Sequence, residues 1–176
     1  MAKTLLALDR RGFVKAAAGL LAMTVMPSGL VVGNAWAQMP RSTKPETFVT
    51  LVQMSRDCYP HEAVTDPYYA NAVNVLDEAA RSSEADLALL EDGVAKLDAA
   101  AREKGGTDYK SLPNEADRVA ILEALGEADP FFQKVRSNLV VGLYNQKNLW
   151  PIFGYEGASA DKGGYIERGF DDIDWV

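Results

Sequence analysis

Cys58 and His61 are the chain's only thiol and only imidazole, and they stand together in Cys58-Tyr59-Pro60-His61. A cysteine beside a histidine is the pairing that makes a nucleophile and its base. That chemistry also needs a third group to orient the imidazole, and none is identifiable here. A packing cysteine at a helix end is the plainer reading, and no catalytic residue is assigned. In an oxidising compartment a lone cysteine can also pair with another chain, so Cys58 is a candidate intersubunit thiol.

Other chemistries lack their parts. One Cys and one His are too few for a Cys-rich zinc site, an iron–sulfur site or a multi-His metal site. The haem pattern C-x-x-C-H is absent. Asp66, Asp171, Asp172 and Asp174 invite a hard cation, but the D-x-[DN]-x-[DN]-G loop is missing. These acids read as solvated groups facing a basic surface. The glycines at Gly154, Gly157, Gly163 and Gly164 precede no helix, so no dinucleotide cradle is expected. Ser159 does not stand in G-x-S-x-G. The expectation is therefore a chain with no cofactor and no metal of its own. Its net charge of −7 also disfavours nucleic acid, whose phosphates need clustered Lys and Arg.

The elements that carry these residues read as helices. Ser42 or Thr43 is placed to cap a first helix with Pro45 in its first turn, and Phe48, Leu51, Val52 and Ser55 fall on one face. Asp66-Pro67 opens a second, striped by Tyr69, Val73, Leu76 and Ala80. A third begins at Ser82/Ser83, runs through Leu87, Leu90, Val94, Leu97 and Ala101, and stops at Gly105-Gly106. Asn114 caps a fourth through Val119, Leu122 and Leu125, and Asp129-Pro130 opens a fifth through Phe132, Val135, Leu139 and Leu143. No segment sustains a period of two. The fold class is all-α: a small bundle or orthogonal array of about five helices, spanning residues 38–147, with a long irregular C-terminal tail.

Residues 1–37 read as an address rather than as fold. Arg10 and Arg11 stand next to each other, followed by Phe13 and Lys15 and then by an apolar run from Ala16 to Val32. Ala35 and Ala37 supply the small residues of a cleavage site. This resembles a bacterial twin-arginine export signal. The competing reading is a membrane anchor, but a spanning helix wants about 20 apolar residues. This run has 17 and is interrupted by Gly19, Pro27 and Gly29. The leader holds four cations (Lys3, Arg10, Arg11, Lys15) and one acid (Asp9), so its removal takes the net charge from −7 to −10.

The tail, residues 148–176, sets Trp150, Phe153, Tyr155, Tyr165, Phe170 and Trp175 among glycines and acids. An unstructured run this long is unusual in a compact domain. Either the aromatics strap the chain's own core, or they form an interface with a partner, with Asp171, Asp172 and Asp174 turned toward its basic groups. Interface and core share this composition.

Several blocks together resemble the gluconate 2-dehydrogenase subunit 3 family, the small subunits of membrane-associated flavin dehydrogenases. They are the twin-arginine leader; Thr50-Leu51 through Cys58-Tyr59-Pro60-His61; Leu90 to Gly93 with Leu97-Asp98; Gly105-Gly106 with Tyr109 and Leu112; Phe131-Phe132 to Arg136; and Trp150-Pro151-Ile152-Phe153-Gly154-Tyr155-Glu156-Gly157. The run from Gly163 to Trp175 extends past the family's shared block. The resemblance implies a non-catalytic escort that crosses the membrane by the twin-arginine translocase with a signal-less large subunit. That partner would carry FAD and oxidise a sugar, sugar acid or alcohol, with a cytochrome c subunit as electron acceptor. It also implies a periplasmic location, on the membrane surface through partners. The alternative is a stand-alone periplasmic helical binding protein or an unfamiliar enzyme.

Overall fold

The computed structural model describes residues 40–170. The candidate export-signal residues Arg10, Arg11, Phe13, Lys15, Ala35 and Ala37, and the tail residues Asp171, Asp172, Asp174 and Trp175, lie outside the described residues. Five α-helices follow one another: α1 (Pro45–Cys58), α2 (Asp66–Ala80), α3 (Glu84–Glu103), α4 (Glu115–Leu125) and α5 (Pro130–Gly142). Short 3-10 turns occupy Tyr109–Ser111, Trp150–Phe153 and Ser159–Lys162, and no strand occurs among the described residues. The fold is all-α, as the periodicity predicts.

The expected stripes of α2 and α3 bury, Tyr69, Val73, Leu76 and Ala80 on α2 and Leu90, Val94, Leu97 and Ala101 on α3, except that Leu87 at the head of the α3 stripe is only half-buried. Ser83 caps α3 by accepting from the Asp86 amide at 3.1 Å. The Gly106 amide closes the far end on the Ala101 carbonyl, across Gly105 at φ +86°, a left-handed turn that suits glycine.

Asn114 stands at the head of α4 but does not cap it with its side chain, whose Nδ2 donates to Asp117 Oδ2 at 3.1 Å. Three further expectations need correction. First, α1 is not a one-faced helix. Every residue from Thr50 to Ser55 is buried, because α1 packs against all four other helices and the Tyr109–Ser111 turn. A helix buried all round sits at the centre of its fold. Some of its interior polar groups are answered internally, Ser55 Oγ donating to the Leu51 carbonyl at 2.7 Å and Gln53 Nε2 to Asp57 Oδ1 at 3.0 Å, while Thr50 Oγ1 and Gln53 Oε1 are buried without a hydrogen-bond partner.

Second, neither Ser42 nor Thr43 caps α1. The cap position is Lys44, and no side chain caps it. The amides of the segment that leads into the helix, Arg41 to Lys44, are taken by carboxylates from other helices. Asp77 of α2 accepts from the backbone of Arg41 at 2.6 Å and Thr43 at 2.7 Å, and from Thr43 Oγ1 at 2.7 Å. Glu91 of α3 accepts from the Lys44 amide and from Thr47 Oγ1, each at 2.8 Å. Third, Phe131 and not Phe132 heads the buried stripe of α5, continuing through Val135, Leu139 and Leu143. The Phe131 ring lies against Gly93 of α3, where any Cβ would run into it.

Burial alone would raise the Asp77 carboxyl, but the bonds from Thr43, Arg41 and Ser42 outweigh it and hold it below the usual range. Glu91 is lowered against burial by Lys44 and Thr47 in the same way. A depressed folded value adds stability above the unfolded value, about 3.9 for Asp, and that stability is lost as pH falls through the folded value. The wild type should therefore lose stability below about pH 4. Asp77→Asn should be less stable at pH 7 and show a shallower acid limb in urea melts. An unchanged acid limb would show that this clamp carries no stability.

Candidate functional site

The end of α1 delivers Asp57, Cys58 and then Tyr59, Pro60 and His61 to one corner of the bundle. The corner is fixed by a buried ion pair. Arg118 of α4 donates from Nε to Asp57 Oδ2 at 2.9 Å and from Nη2 to Oδ1 at 3.0 Å, and its Nη1 donates to the Leu112 carbonyl at 2.6 Å. The Tyr109 hydroxyl donates to Asp57 Oδ2 at 2.8 Å. With Gln53 added, four donors saturate the Asp57 carboxylate, and both charged side chains are almost wholly buried.

Local sequence explains why Tyr109 reaches it. Asp108 and Ser111 form a reciprocal cap around Tyr109–Ser111, and the Tyr109 amide donates to Asp98 Oδ1 at 2.9 Å. Burial first, and then the Asp57 charge, push the Tyr109 phenol far above its ordinary value, so it stays a donor. A carboxylate with every acceptor site filled has none left for a substrate proton. The group is a structural joint between α1 and α4. Sequence reasoning missed it. The signal was Arg118 standing at i, i+3, i+4 with the buried Ile121 and Leu122.

Cys58 and His61 are not brought together. Cys58 lines a cavity of about 460 Å³ with Tyr59, Val119, Leu122 and Phe132. His61 lines a separate, more polar cavity of about 360 Å³ with Gln53, Arg56, Glu62 and Glu115. His61 Nε2 shares a 2.7 Å hydrogen bond with the Tyr144 hydroxyl instead. Burial, and secondarily the Asp57 charge, push the Cys58 thiol up to about 12, against a smaller opposing pull from Arg136. A thiol that high holds little thiolate at neutral pH. At pH 8 Cys58 should react with iodoacetamide more than about tenfold more slowly than free cysteine. Labelling at the free-cysteine rate would mean an activated thiol and would overturn its reading as a packing residue.

The tail candidates divide. Leu149 is fully buried and half-buried Trp150 is pinned, its Nε1 donating to the Tyr144 carbonyl at 3.0 Å. Phe153 lies across His61 at 5.0 Å and Tyr144 at 5.3 Å between ring centres, and Tyr155 meets the Trp150 ring edge-on at 5.1 Å. Beyond them the chain folds back through Glu156, which accepts from Lys162 Nζ at 2.6 Å and Arg168 Nη2 at 2.8 Å. The apolar side chains on this stretch face solvent: Tyr165 is 61% exposed, Ile166 83% and Phe170 78%, with Ile152, Phe153 and Tyr155 also exposed. Composition drew attention to the aromatics only. Ile152 and Ile166 are exposed on the same segment.

Among the described residues no group of three or more His, Cys, Asp or Glu side chains is placed to hold a metal ion. No helix among them is long and apolar enough to cross a membrane. Comparison of the chain with models of protein families, with curated proteins and with solved structures finds no match.

Proposed function

We propose that this chain is the non-catalytic small subunit of an exported, flavin-dependent dehydrogenase acting on a sugar, sugar acid or alcohol. It would escort the signal-less catalytic subunit through twin-arginine export and then stabilise it in the periplasm. FAD would reside in that partner, and a cytochrome c subunit would complete the complex. The observation that carries the reading is the C-terminal segment. A helical body that closes its own core holds out six large apolar side chains, Ile152, Phe153, Tyr155, Tyr165, Ile166 and Phe170. All six fall within residues 152–170, and exposed apolar surface that gathers rather than scatters marks interaction sites. The leader with Arg10-Arg11 and the order of the resembling blocks add the identity of the partner.

The test is co-purification. The full chain, tagged at its C-terminus, is expressed in its source cells and recovered from the periplasmic fraction. A large subunit carrying stoichiometric FAD should come with it, and changing Arg10 and Arg11 to Lys should leave both in the cytoplasm. Recovery of the chain alone from the periplasm, as a stable monomer with a small molecule bound, would replace this reading with a stand-alone binding protein.

A further inference from the structure

The cavity beside Cys58 sets the apolar side chains of Val119, Leu122 and Phe132 against the charged groups of Glu123, Glu127 and Arg136. Tyr59 continues its wall outward. The Tyr59 ring meets Tyr144 edge-on at 5.7 Å, and Tyr144 meets Phe153, so an unbroken run of rings leads from the cavity to the exposed tail. The charges along this path are lopsided. Lys162 and Arg168 are both committed to Glu156. Glu123 and Glu127 on the cavity lip, and Asp161 and Glu167 on the tail, make no ion pair among the described residues, and Arg136 is the one uncommitted cation at the cavity.

We propose that this cavity receives a large apolar side chain of the flavoprotein subunit, flanked there by a basic residue that pairs with Glu123 and Glu127. The inference rests on the functional reading above and names the second contact point of the same interface. Interface energy concentrates where an anchor side chain fills a dry pocket ringed by polar groups. Unpaired acids on the lip favour a basic neighbour and repel an acidic one.

Two variants of the chain test it, each titrated against the flavoprotein recovered by co-purification. Val119 is a half-buried wall residue of α4, so Val119→Trp fills the cavity from its rim. It should weaken binding by about tenfold or more. Glu123→Lys with Glu127→Lys changes only exposed side chains. It should weaken binding several-fold and flatten its salt dependence. Circular dichroism checks both folds, and if Val119→Trp misfolds the charge reversal decides alone. If the folded variants bind as the wild type does while a tail truncation still weakens binding, the cavity is not a contact and the interface reading stands without it. If the wild type itself binds no flavoprotein, both fall. A dye such as anilinonaphthalene sulfonate that occupies the cavity and stays bound in the complex would also overturn the proposal.

Discussion

Asp57→Ala should destabilise the chain by about 3–5 kcal/mol, the cost of leaving a buried charge without its partner. Arg118 would keep its guanidinium inside the fold with only the Leu112 carbonyl to answer it, while Gln53 and Tyr109 lose their acceptor. Typical domains have about 5–15 kcal/mol in total, so this is a large fraction. Urea denaturation should show the midpoint falling sharply. The pair itself is expected to be worth far less than its breakage costs. A double change to apolar residues of similar size, Asp57→Leu with Arg118→Met, should recover much of the loss. A loss under about 1 kcal/mol for Asp57→Ala would mean that water reaches the pair and the joint is not buried as described.

Truncation after Gly157 should leave helicity and the urea midpoint nearly unchanged and weaken binding to the flavoprotein by about tenfold or more, one decade being about 1.4 kcal/mol. The segment removed holds Tyr165, Ile166 and Phe170, all exposed, whereas the side chains that tie the tail to the bundle, Leu149, Trp150 and Phe153, remain. The Glu156 clip to Lys162 and Arg168 is lost, but surface pairs contribute little to stability. Circular dichroism and titration separate the outcomes. If the truncated chain unfolds, the tail is a strap for its own core. If it stays folded and binds as before, exposed aromatics have been mistaken for an interface.

The helices were legible because their stripes are local. Leu90, Val94, Leu97 and Ala101 declare a face at helical spacing whatever surrounds them. What depends on distant residues was not legible. Ser42 and Thr43 look like caps, but no side chain caps α1, and Asp77 and Glu91 from other helices hold the backbone just before it. Phe131 and Phe132 are equivalent by type, and only the bare Gly93 surface across the bundle selects the first. The central position of α1 hid behind its polar residues Thr50, Gln53 and Asp57, which one-face reasoning sends to solvent. Cys58 and His61 are neighbours in sequence, yet Pro60 and the helix end turn them to different cavities. The tail was undecidable from composition, since the same aromatics suit a strap or an interface. Exposure of its distal part favours the interface.

The clamp of Asp77 and Glu91 on residues 41–44 also has a consequence in time. Its bonds close over 34 to 47 residues, so the backbone of residues 41–44 becomes ordered only when α2 and α3 are in place. Contacts of such separation tend to form after the rate-limiting step, because loop closure is costly until local structure exists. In stopped-flow measurements Asp77→Asn should speed unfolding and leave the refolding rate nearly untouched, a φ-value near zero. A φ-value near one would place the clamp in the nucleus. With the clamp late, the segment that leads into α1 is the last part of the bundle to settle, and its order reports that the helices behind it have already docked.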